Sequence, residues 1–363
     1  MRRALLLVVV AMLCGLAAPA AGNPAGRPPA AAVAGRWTRA VAAPDRITVV
    51  FGGDTSPPTN EQRGDDKGTA EVVFAIGPDL VCTLGDNQYE AGNLAMFQSF
   101  LGYNGGWGQF KDLIRCPAVG NHDVADPGPG APGFNAYFAD ALANLPCAQL
   151  NPPCRPDQGY YDLDLDANHD GAPDWYVLVI NTNCQRASGG TGDVDTPACT
   201  TGSPQWKWLE FAQNRRHGGQ TSGQKCSIMI GHHERWGTGF FADDPSFQDL
   251  WVSFYNHHGD VTEFGHTHSS SRMGAMLPNG TLSPTGAGVR QITSGATGRS
   301  LTPNRVDPQR AGTRYRDNTR YGVNRLTLTV APSAAGWIGG TWRTEMNYIN
   351  NQAADIAEAG CWP

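Results

Sequence analysis

The sequence carries little charge of either sign and has no block of like charges. Lys, Arg, Asp and Glu make up 17% of the 363 residues, and the formal net charge is −6. A basic groove for nucleic acid, or a polybasic patch for a membrane surface, would require clustered Lys and Arg side chains. We therefore expect neither a nucleic-acid-binding patch nor a charged membrane-binding surface.

The apolar run near the start of the chain is too short for a typical membrane span. It lies in MRRALLLVVVAMLCGLAAPAAG, where it follows two arginines and ends in small residues. This pattern is typical of a secretory signal peptide, which we predict over residues 1–21. A flexible Pro/Ala-rich leader is predicted over 22–45 and one domain over 46–363, because no repeat or change of composition divides the rest. The mature protein is expected outside the cell or in the periplasmic or cell-wall space.

No CxxC motif occurs, which argues against a cysteine metal site or a dithiol redox motif. Removal of the signal peptide leaves eight of the nine cysteines, an even number, and export permits disulfides. Two pairs are close enough in sequence to close local loops: Cys147 with Cys154, and Cys184 with Cys199. The other four either pair or remain buried thiols: Cys82, Cys116, Cys226 and Cys361.

The first part of the predicted domain alternates between strand and helix patterns. The segments in order are ITVVFGG, GTAEVVFAIGP, DLVCTLGD, AGNLAMFQSFLG and RCPAVGN. Short apolar, β-branched runs separated by helical spacing are typical of βαβ units and a buried, mostly parallel sheet.

The remainder has a different pattern. GYYDLDL and WYVLVIN predict a hairpin, SPQWKWLEFAQNRR predicts a helix capped by Ser203, and KCSIMIGHH and GDVTEFGHTH predict strands that end in histidines. Gly-rich hairpins follow. We predict an α/β (α+β) fold of two packed mixed β-sheets flanked by helices.

Five polar clusters each follow an apolar strand. They are Asp54, Asp86 with Tyr89, Asn121 with His122, His232 with His233, and His266 with His268. Each cluster taken alone fits an ordinary turn, but ligands gather beyond the carboxyl ends of parallel strands. We therefore expect the clusters to meet at one sheet edge. Oxygen and imidazole donors suit Zn, Mn or Fe, and this many ligands exceed the needs of a single ion.

The motif order D…GDxxY…GNH[DE]…H…GHxH resembles the calcineurin-like metallophosphoesterase superfamily, and within it the purple-acid-phosphatase type. The resemblance runs from Asp54 to about Tyr321. It implies a four-layer sandwich with a dinuclear metal site at the strand ends. It also implies a phosphoester hydrolase that uses a metal-bound hydroxide, with acid phosphatase activity on monoesters favoured; with the signal peptide, a secreted enzyme is expected. A phosphodiesterase or phospholipase on the same scaffold, or a secreted binding protein with a vestigial site, remain alternatives.

The resemblance also implies the metal ligands. Many superfamily members begin with D-x-H, whereas this chain has Asp54-Thr55-Ser56, and Tyr89 stands where the purple-acid-phosphatase type has its tyrosine ligand. A phenolate ligand favours Fe(III), accompanied by divalent Fe, Zn or Mn. The first metal is assigned Asp54, Asp86, Tyr89 and His268. The second is assigned Asp86, Asn121, His232 and His266.

His122 is expected to act on substrate rather than on metal, by protonating the leaving oxygen or by binding a phosphoryl oxygen. The family pattern HxP is replaced by His232-His233-Glu234, so His232 is the favoured ligand, with His233 beside it. The family's aromatic after GHxH is also missing. Arg272 in that segment either reaches substrate phosphate or lies at the surface.

The predicted hairpin tip DANHDG matches part of a calcium loop. Its oxygen donors are Asp166, Asn168, Asp170 and Asp174, at loop positions 1, 3, 5 and 9. Position 12 is Val177 instead of the usual glutamate, and no flanking helices are evident. A plain turn is the favoured interpretation, and a structural calcium site is the alternative.

Overall fold

The computed structural model describes the chain in ten segments. They are residues 45–56, 65–101, 106–125, 130–184, 197–217, 226–238, 243–303, 309–330, 340–350 and 352–361. The predicted signal peptide, 1–21, and all but the last residue of the predicted leader, 22–45, lie outside these segments.

Within the described segments the chain forms thirteen β-strands and six α-helices. The strands are β1 (Arg46–Gly52), β2 (Leu80–Leu84), β3 (Ile114–Ala118), β4 (Tyr161–Leu165), β5 (Trp175–Val179), β6 (Cys226–Ile230), β7 (Val261–Phe264), β8 (Ser270–Met276), β9 (Val289–Ser294), β10 (Thr313–Asp317), β11 (Gly322–Val330), β12 (Gly340–Tyr348) and β13 (Gln352–Gly360). The helices are α1 (Asp66–Ile76), α2 (Leu94–Met96), α3 (Pro132–Tyr137), α4 (Ala139–Leu142), α5 (Pro204–His217) and α6 (Gln248–Asn256).

The strands form two mixed sheets. The first has the order β13-β12-β11-β1-β2-β3, in which β1, β2 and β3 are parallel. The second has the order β10-β8-β9-β7-β6-β5-β4, in which β5, β6, β7 and β9 are parallel. Antiparallel strands complete both sheets, including the predicted β4–β5 hairpin. The predicted α/β fold with two mixed sheets is therefore confirmed.

The central parallel strands are buried on both faces. Every residue of β2, β5 and β6 is buried, which explains why their sequences read as continuous apolar runs without alternation. The edge strand β13, in contrast, has no buried residue. Polar residues follow the buried strands of both sheets. The polar clusters therefore lie at the strand ends, next to the core.

The helix boundaries follow local capping chemistry. Asp65 accepts the backbone N–H of Gly68 at the start of α1, and Gly77 ends that helix in the left-handed conformation. The Ser203 hydroxyl accepts the N–H of Trp206, which confirms the predicted cap of α5. The predicted helix in AGNLAMFQSFLG begins as α2 and continues as a wider π-helical turn over Phe97–Leu101.

Four disulfides link the described segments. The two predicted local pairs form, Cys147–Cys154 and Cys184–Cys199, and the other bridges are Cys82–Cys116 and Cys226–Cys361. Cys82 and Cys116 are register partners on β2 and β3. This bridge therefore holds together the two strands that lead to Asp86 and Asn121.

None of the helices in the described segments has the length and apolar character required to cross a membrane.

Glu263 is a fully buried carboxyl group in β7, where Ser294 and Asn324 donate hydrogen bonds to it. Burial raises its pKa from about 4.5, the usual value for glutamate, to about 8. The folded state therefore holds a proton that the unfolded state releases at lower pH. Its contribution to stability is full below pH 4.5 and is lost as the pH rises to about 8.

We expect Glu263→Gln to reduce this pH dependence, because glutamine is neutral at every pH. At ~1.4 kcal/mol per pH unit, the unfolding free energy of the variant relative to wild type should rise by on the order of 4 kcal/mol between pH 5 and 8.5. Denaturant unfolding of both proteins at saturating metal measures the difference. The exposed Glu71→Gln is the control, and equal slopes for wild type and Glu263→Gln would contradict the prediction.

Candidate metal centre

The strand ends bring the predicted polar clusters to one place. Asp54 follows β1, Asp86 follows β2 and His232 follows β6, and all three are buried. One ligand atom from each of these residues lies within 4.8 Å of the other two. Side chains from both sheets therefore converge, as a metal site requires.

Three donors meet on one side of this centre. The Tyr89 hydroxyl donates to Asp54 Oδ1 at 2.7 Å and lies 3.1 Å from His268 Nε2. His268 Nε2 is in turn 3.5 Å from Asp54 Oδ1. These side chains, with Asp86, are the set that the resemblance assigns to the first metal.

The donors assigned to the second metal surround His232 Nε2. Asn121 Oδ1 and His266 Nδ1 each lie 3.1 Å from it, and Asp86 Oδ2 lies 3.3 Å away. Asp86 also acts electrostatically on the phenol of Tyr89, on the first side. Its carboxylate therefore stands between the two donor sets.

The backbone at the centre adopts conformations that L-residues rarely take. Asp54, Asp86, His266 and His268 have positive φ angles of 59°, 46°, 70° and 45°. Residues in such conformations cluster at functional sites. Gly85 has a φ of 80°, and a Cβ there would lie 2.6 Å from His232 Nδ1. Glycine therefore permits the close approach of Asp86 and His232.

Backbone carbonyls orient two of the imidazoles. His232 Nδ1 lies 2.8 Å from the Leu84 carbonyl oxygen, and His268 Nδ1 lies 3.0 Å from that of Ser300. Because a carbonyl only accepts, Nδ1 carries the proton in both rings. In each ring Nε2 is therefore the nitrogen that faces the centre, and it can bind a metal once its proton is displaced, the arrangement typical of metal-binding histidine.

Thr182 fixes the His232-His233 segment. Its hydroxyl oxygen accepts the backbone N–H groups of both histidines, at 3.2 and 2.9 Å, and lies 3.0 Å from His233 Nδ1. The His233 ring packs against that of His266 at a tilt of 54°, with ring centroids 4.4 Å apart. It is His232 whose Nε2 is in hydrogen-bond contact with Asn121 Oδ1. His232 as ligand, with His233 beside it, stays a prediction that these contacts favour.

His122 lies at the mouth of the centre, with a side chain that is 29% exposed. Its backbone N–H donates to Asp86 Oδ1 at 2.8 Å, and its Nδ1 lies 2.7 Å from the Glu90 carbonyl oxygen. Its Nε2 is 3.9 Å from Asp86 Oδ2. The second ring nitrogen is thus presented to the space above the predicted metal ligands.

That space is a cavity of about 300 Å³, at the small end of the range for ligand sites. It is lined by Asp86, Asn121, His122, His266, Thr267, His268 and Thr302. Four of the proposed metal ligands and His122 therefore face one small cavity.

The charges of the centre favour a bound cation. Burial would raise the pKa of the Asp86 carboxyl, but His232 and His122 hold it well below its usual range. Burial opposes charge on His232, yet Asp86 outweighs it and raises the His232 pKa to about 9. Burial and the carboxylates of Asp54 and Asp86 raise the pKa of the Tyr89 phenol well above its usual value. A cation would supply the positive charge that these groups attract and would displace the protons.

Asp123 supports the centre from behind, a role that the sequence did not indicate. Its buried carboxylate accepts backbone N–H groups from Asn87 at 3.1 Å, Gln88 at 3.3 Å and Gly120 at 2.8 Å. Burial and the nearby charge of Asp86 raise its pKa to about 7. Asp123 thus ties the turn that carries Asp86 to the turn that carries Asn121. Its place at the end of GNHD was the available signal.

Arg272 lies elsewhere. Its guanidinium forms a bidentate ion pair with Asp355, with N···O distances of 2.7 and 2.6 Å. The Arg272 side chain is 16% exposed, so it is not fully at the surface. It is not one of the residues that line the cavity.

The DANHDG segment forms a compact turn between β4 and β5. Gly171 N–H donates to Asp166 at 2.8 Å, Asp170 N–H donates to Asn168 at 3.0 Å, and Ala167 N–H donates to Asp174 at 2.8 Å. The side-chain oxygens that would bind calcium accept hydrogen bonds from the backbone of the turn itself. The calcium alternative at Asp166, Asn168, Asp170 and Asp174 stays a prediction.

The donor set of the centre fits two metal ions. It contains two carboxylates, a phenol, an amide oxygen and three imidazoles, and in two of the imidazoles Nε2 is the nitrogen that faces inward. Hard oxygen donors suit a trivalent or divalent cation, and imidazole suits Fe, Zn and related ions.

No protein-family profile and no curated protein sequence matches the chain. Several solved structures, however, have a fold similar to that of this chain. A purple acid phosphatase, PPD1, from seeds of yellow lupin (Lupinus luteus) superposes with a TM-score of 0.60 at 16% sequence identity, over 87% of this chain and 54% of that one. GAP50, described as the anchor in the inner membrane complex of Plasmodium, superposes with a TM-score of 0.55 at 9% identity, over 87% and 89%.

The chain spans about half the length of the lupin enzyme. At these identities the likeness concerns the fold alone. It confirms that the chain has the fold of a purple acid phosphatase, as the resemblance in the motifs implies.

Proposed function

We propose that this protein is a secreted, metal-dependent phosphoester hydrolase that acts on phosphomonoesters. One observation carries the proposal. Donor atoms of Asn121, His266 and Asp86 lie within 3.3 Å of His232 Nε2, although these residues come from distant parts of the chain. The phosphatase-like fold supports the same conclusion.

Two cations are proposed, Fe(III) and a divalent Fe, Zn or Mn. They would be held by Asp54, Asp86, Tyr89, Asn121, His232, His266 and His268. When bound, such a pair supplies Lewis acidity, which lowers the pKa of water and neutralises charge on a phosphoryl group.

The protein groups position the substrate and move one proton. His122 Nδ1 is committed to the Glu90 carbonyl oxygen, so Nε2 is the nitrogen that donates a proton to the leaving oxygen. His122 also packs against the Tyr89 ring, with centroids 4.3 Å apart, which limits its movement. Asp86 accepts the His122 backbone N–H and so links the position of the proton donor to that of the metal ligands.

Secretion is part of the proposal. The four disulfides among the described residues support it, because such bridges persist in oxidising compartments. The predicted signal peptide over 1–21 is the second support.

The test is hydrolysis by protein loaded with Fe, Zn or Mn. We expect turnover of p-nitrophenyl phosphate at two metal equivalents per chain, its loss after chelation, and its return on reloading. A purple or pink colour in the iron-loaded protein would identify Tyr89 as a ligand. Fully metallated protein that hydrolyses neither p-nitrophenyl phosphate nor bis(p-nitrophenyl) phosphate would contradict the proposal.

The same assay separates the alternatives. A preference for the diester would indicate a phosphodiesterase or phospholipase on this scaffold. The likeness to a Plasmodium protein described as an anchor favours a second candidate, a binding protein with a vestigial site. Protein that hydrolyses neither ester would support that candidate.

A further inference from the structure

Arg299 lies against the metal centre although no sequence motif contains it. Its backbone N–H donates to the Asp54 carbonyl oxygen at 2.8 Å, which anchors the loop after β9. Its guanidinium carbon lies 4.6 Å from the centroid of the Tyr89 ring, a cation–π contact. The side chain is 17% exposed, so it is sheltered but reachable from solvent.

The guanidinium of Arg299 and the imidazole of His122 meet at one carboxylate. Arg299 Nη2 lies 3.0 Å from Glu90 Oε1, and His122 Nδ1 lies 3.6 Å from Glu90 Oε2. The Glu90 side chain is 50% exposed. An ion pair with such an exposed partner contributes little, so a more highly charged anion is able to compete for the arginine.

We propose that Arg299 is a specificity-determining residue that binds a phosphoryl oxygen and so selects monoesters over diesters. Its guanidinium exchanges Glu90 for the substrate and remains over the Tyr89 ring. This rests on the proposed function. Near neutral pH a phosphomonoester carries about −1.5 to −2 charge, whereas a diester carries one negative charge and a second ester group. The planar fork of arginine suits the more highly charged, less substituted phosphoryl group.

The rival role for Arg299 is purely structural, as a support for Tyr89 and Glu90. A structural role would affect all substrates alike, whereas a phosphate-binding role acts on the charge of the substrate. Because the loop is anchored through the backbone N–H of Arg299, replacing the side chain leaves that anchor in place.

The experiment compares Arg299→Gln and Arg299→Lys with wild type, all loaded with metal. The control is Arg343→Gln, which removes an arginine that binds Glu358 between strands β12 and β13. Metal content is measured first, then kcat and KM for p-nitrophenyl phosphate and bis(p-nitrophenyl) phosphate. Calorimetry gives the Kd for inorganic phosphate.

We expect Arg299→Gln to keep its metal and to weaken phosphate binding by about tenfold, as for loss of a charge-assisted hydrogen bond. The kcat/KM for the monoester should fall by a similar factor, mainly through KM, while the diester changes far less. Arg299→Lys should lie between the two, and Arg343→Gln should match wild type.

An unchanged phosphate Kd, or equal losses on both substrates, would overturn the role of Arg299 and leave the proposed function standing. If wild type binds phosphate but hydrolyses neither ester, the proposed hydrolase and the selection among its substrates both fail. The phosphate Kd of Arg299→Gln then decides whether the arginine binds phosphate at all.

Discussion

Asp86→Asn is expected to abolish stoichiometric binding of paired cations and to reduce turnover by more than about 100-fold. Residues that merely orient metal ligands cost about 10–100-fold in metal affinity or activity when mutated, and Asp86 is itself the proposed shared ligand. Asparagine keeps the volume and one carbonyl oxygen but removes the negative charge. Elemental analysis and kcat/KM for p-nitrophenyl phosphate measure the two effects.

The matched control for Asp86 stands near the other end of the same strand. Asp79, just before β2, accepts the Thr48 backbone N–H at 2.9 Å and belongs to none of the polar clusters. Asp79→Asn should retain both cations and activity. If Asp86→Asn retained two metal equivalents, the shared-ligand role of Asp86 would be wrong, whatever the activity of the variant.

The convergence of the proposed ligands was predictable because parallel strands present their carboxyl ends at one edge of a sheet, whatever their exact register. Phe51 on β1 pairs with Cys82 on β2, and Cys82 pairs with Cys116 on β3. The polar residues that follow these strands, Asp54 and Asp86 among them, must therefore emerge beside one another. The sequence reveals strands β1, β2 and β3 directly, since each is a short apolar run that is followed by glycine or a polar residue.

Contacts made by loops were not predictable in this way. Arg299 touches Tyr89 and Glu90, which lie far earlier in the chain, through the conformation of the loop after β9. Neither periodicity nor motif spacing encodes that conformation. Arg272, by contrast, attracted attention because it follows GHTH, but its partner Asp355 is 83 positions away on the edge strand β13.

The cysteines show the same division between local and non-local information. Cys147–Cys154 and Cys184–Cys199 have separations of 7 and 15, so sequence proximity identified both pairs. The other bridges have separations of 34 and 135. Their pairing depends on the register of β2 with β3 and on where the chain returns after β13, which composition and spacing do not reveal.

His122→Asn is expected to lower kcat for alkyl phosphates by about 10²–10⁴-fold while leaving metal content unchanged. The side chain of His122 hydrogen-bonds the Glu90 carbonyl oxygen, whereas its hydrogen bond to Asp86 is made by the backbone N–H, which asparagine retains. Elemental analysis and steady-state kinetics measure the two properties. His169→Asn, at an exposed turn position, is the control and should match wild type.

The choice of leaving group identifies the step in which His122 acts. If its Nε2 protonates the leaving oxygen, the variant should lose most activity on alkyl phosphates, because an alkoxide is a poor leaving group without a proton. It should lose least on p-nitrophenyl phosphate, because p-nitrophenolate departs readily without one. Equal losses on both substrates would mean that His122 binds the phosphoryl group instead of protonating the leaving oxygen. Full activity would remove it from the mechanism, although the metal centre, which does not depend on its side chain, would be unaffected.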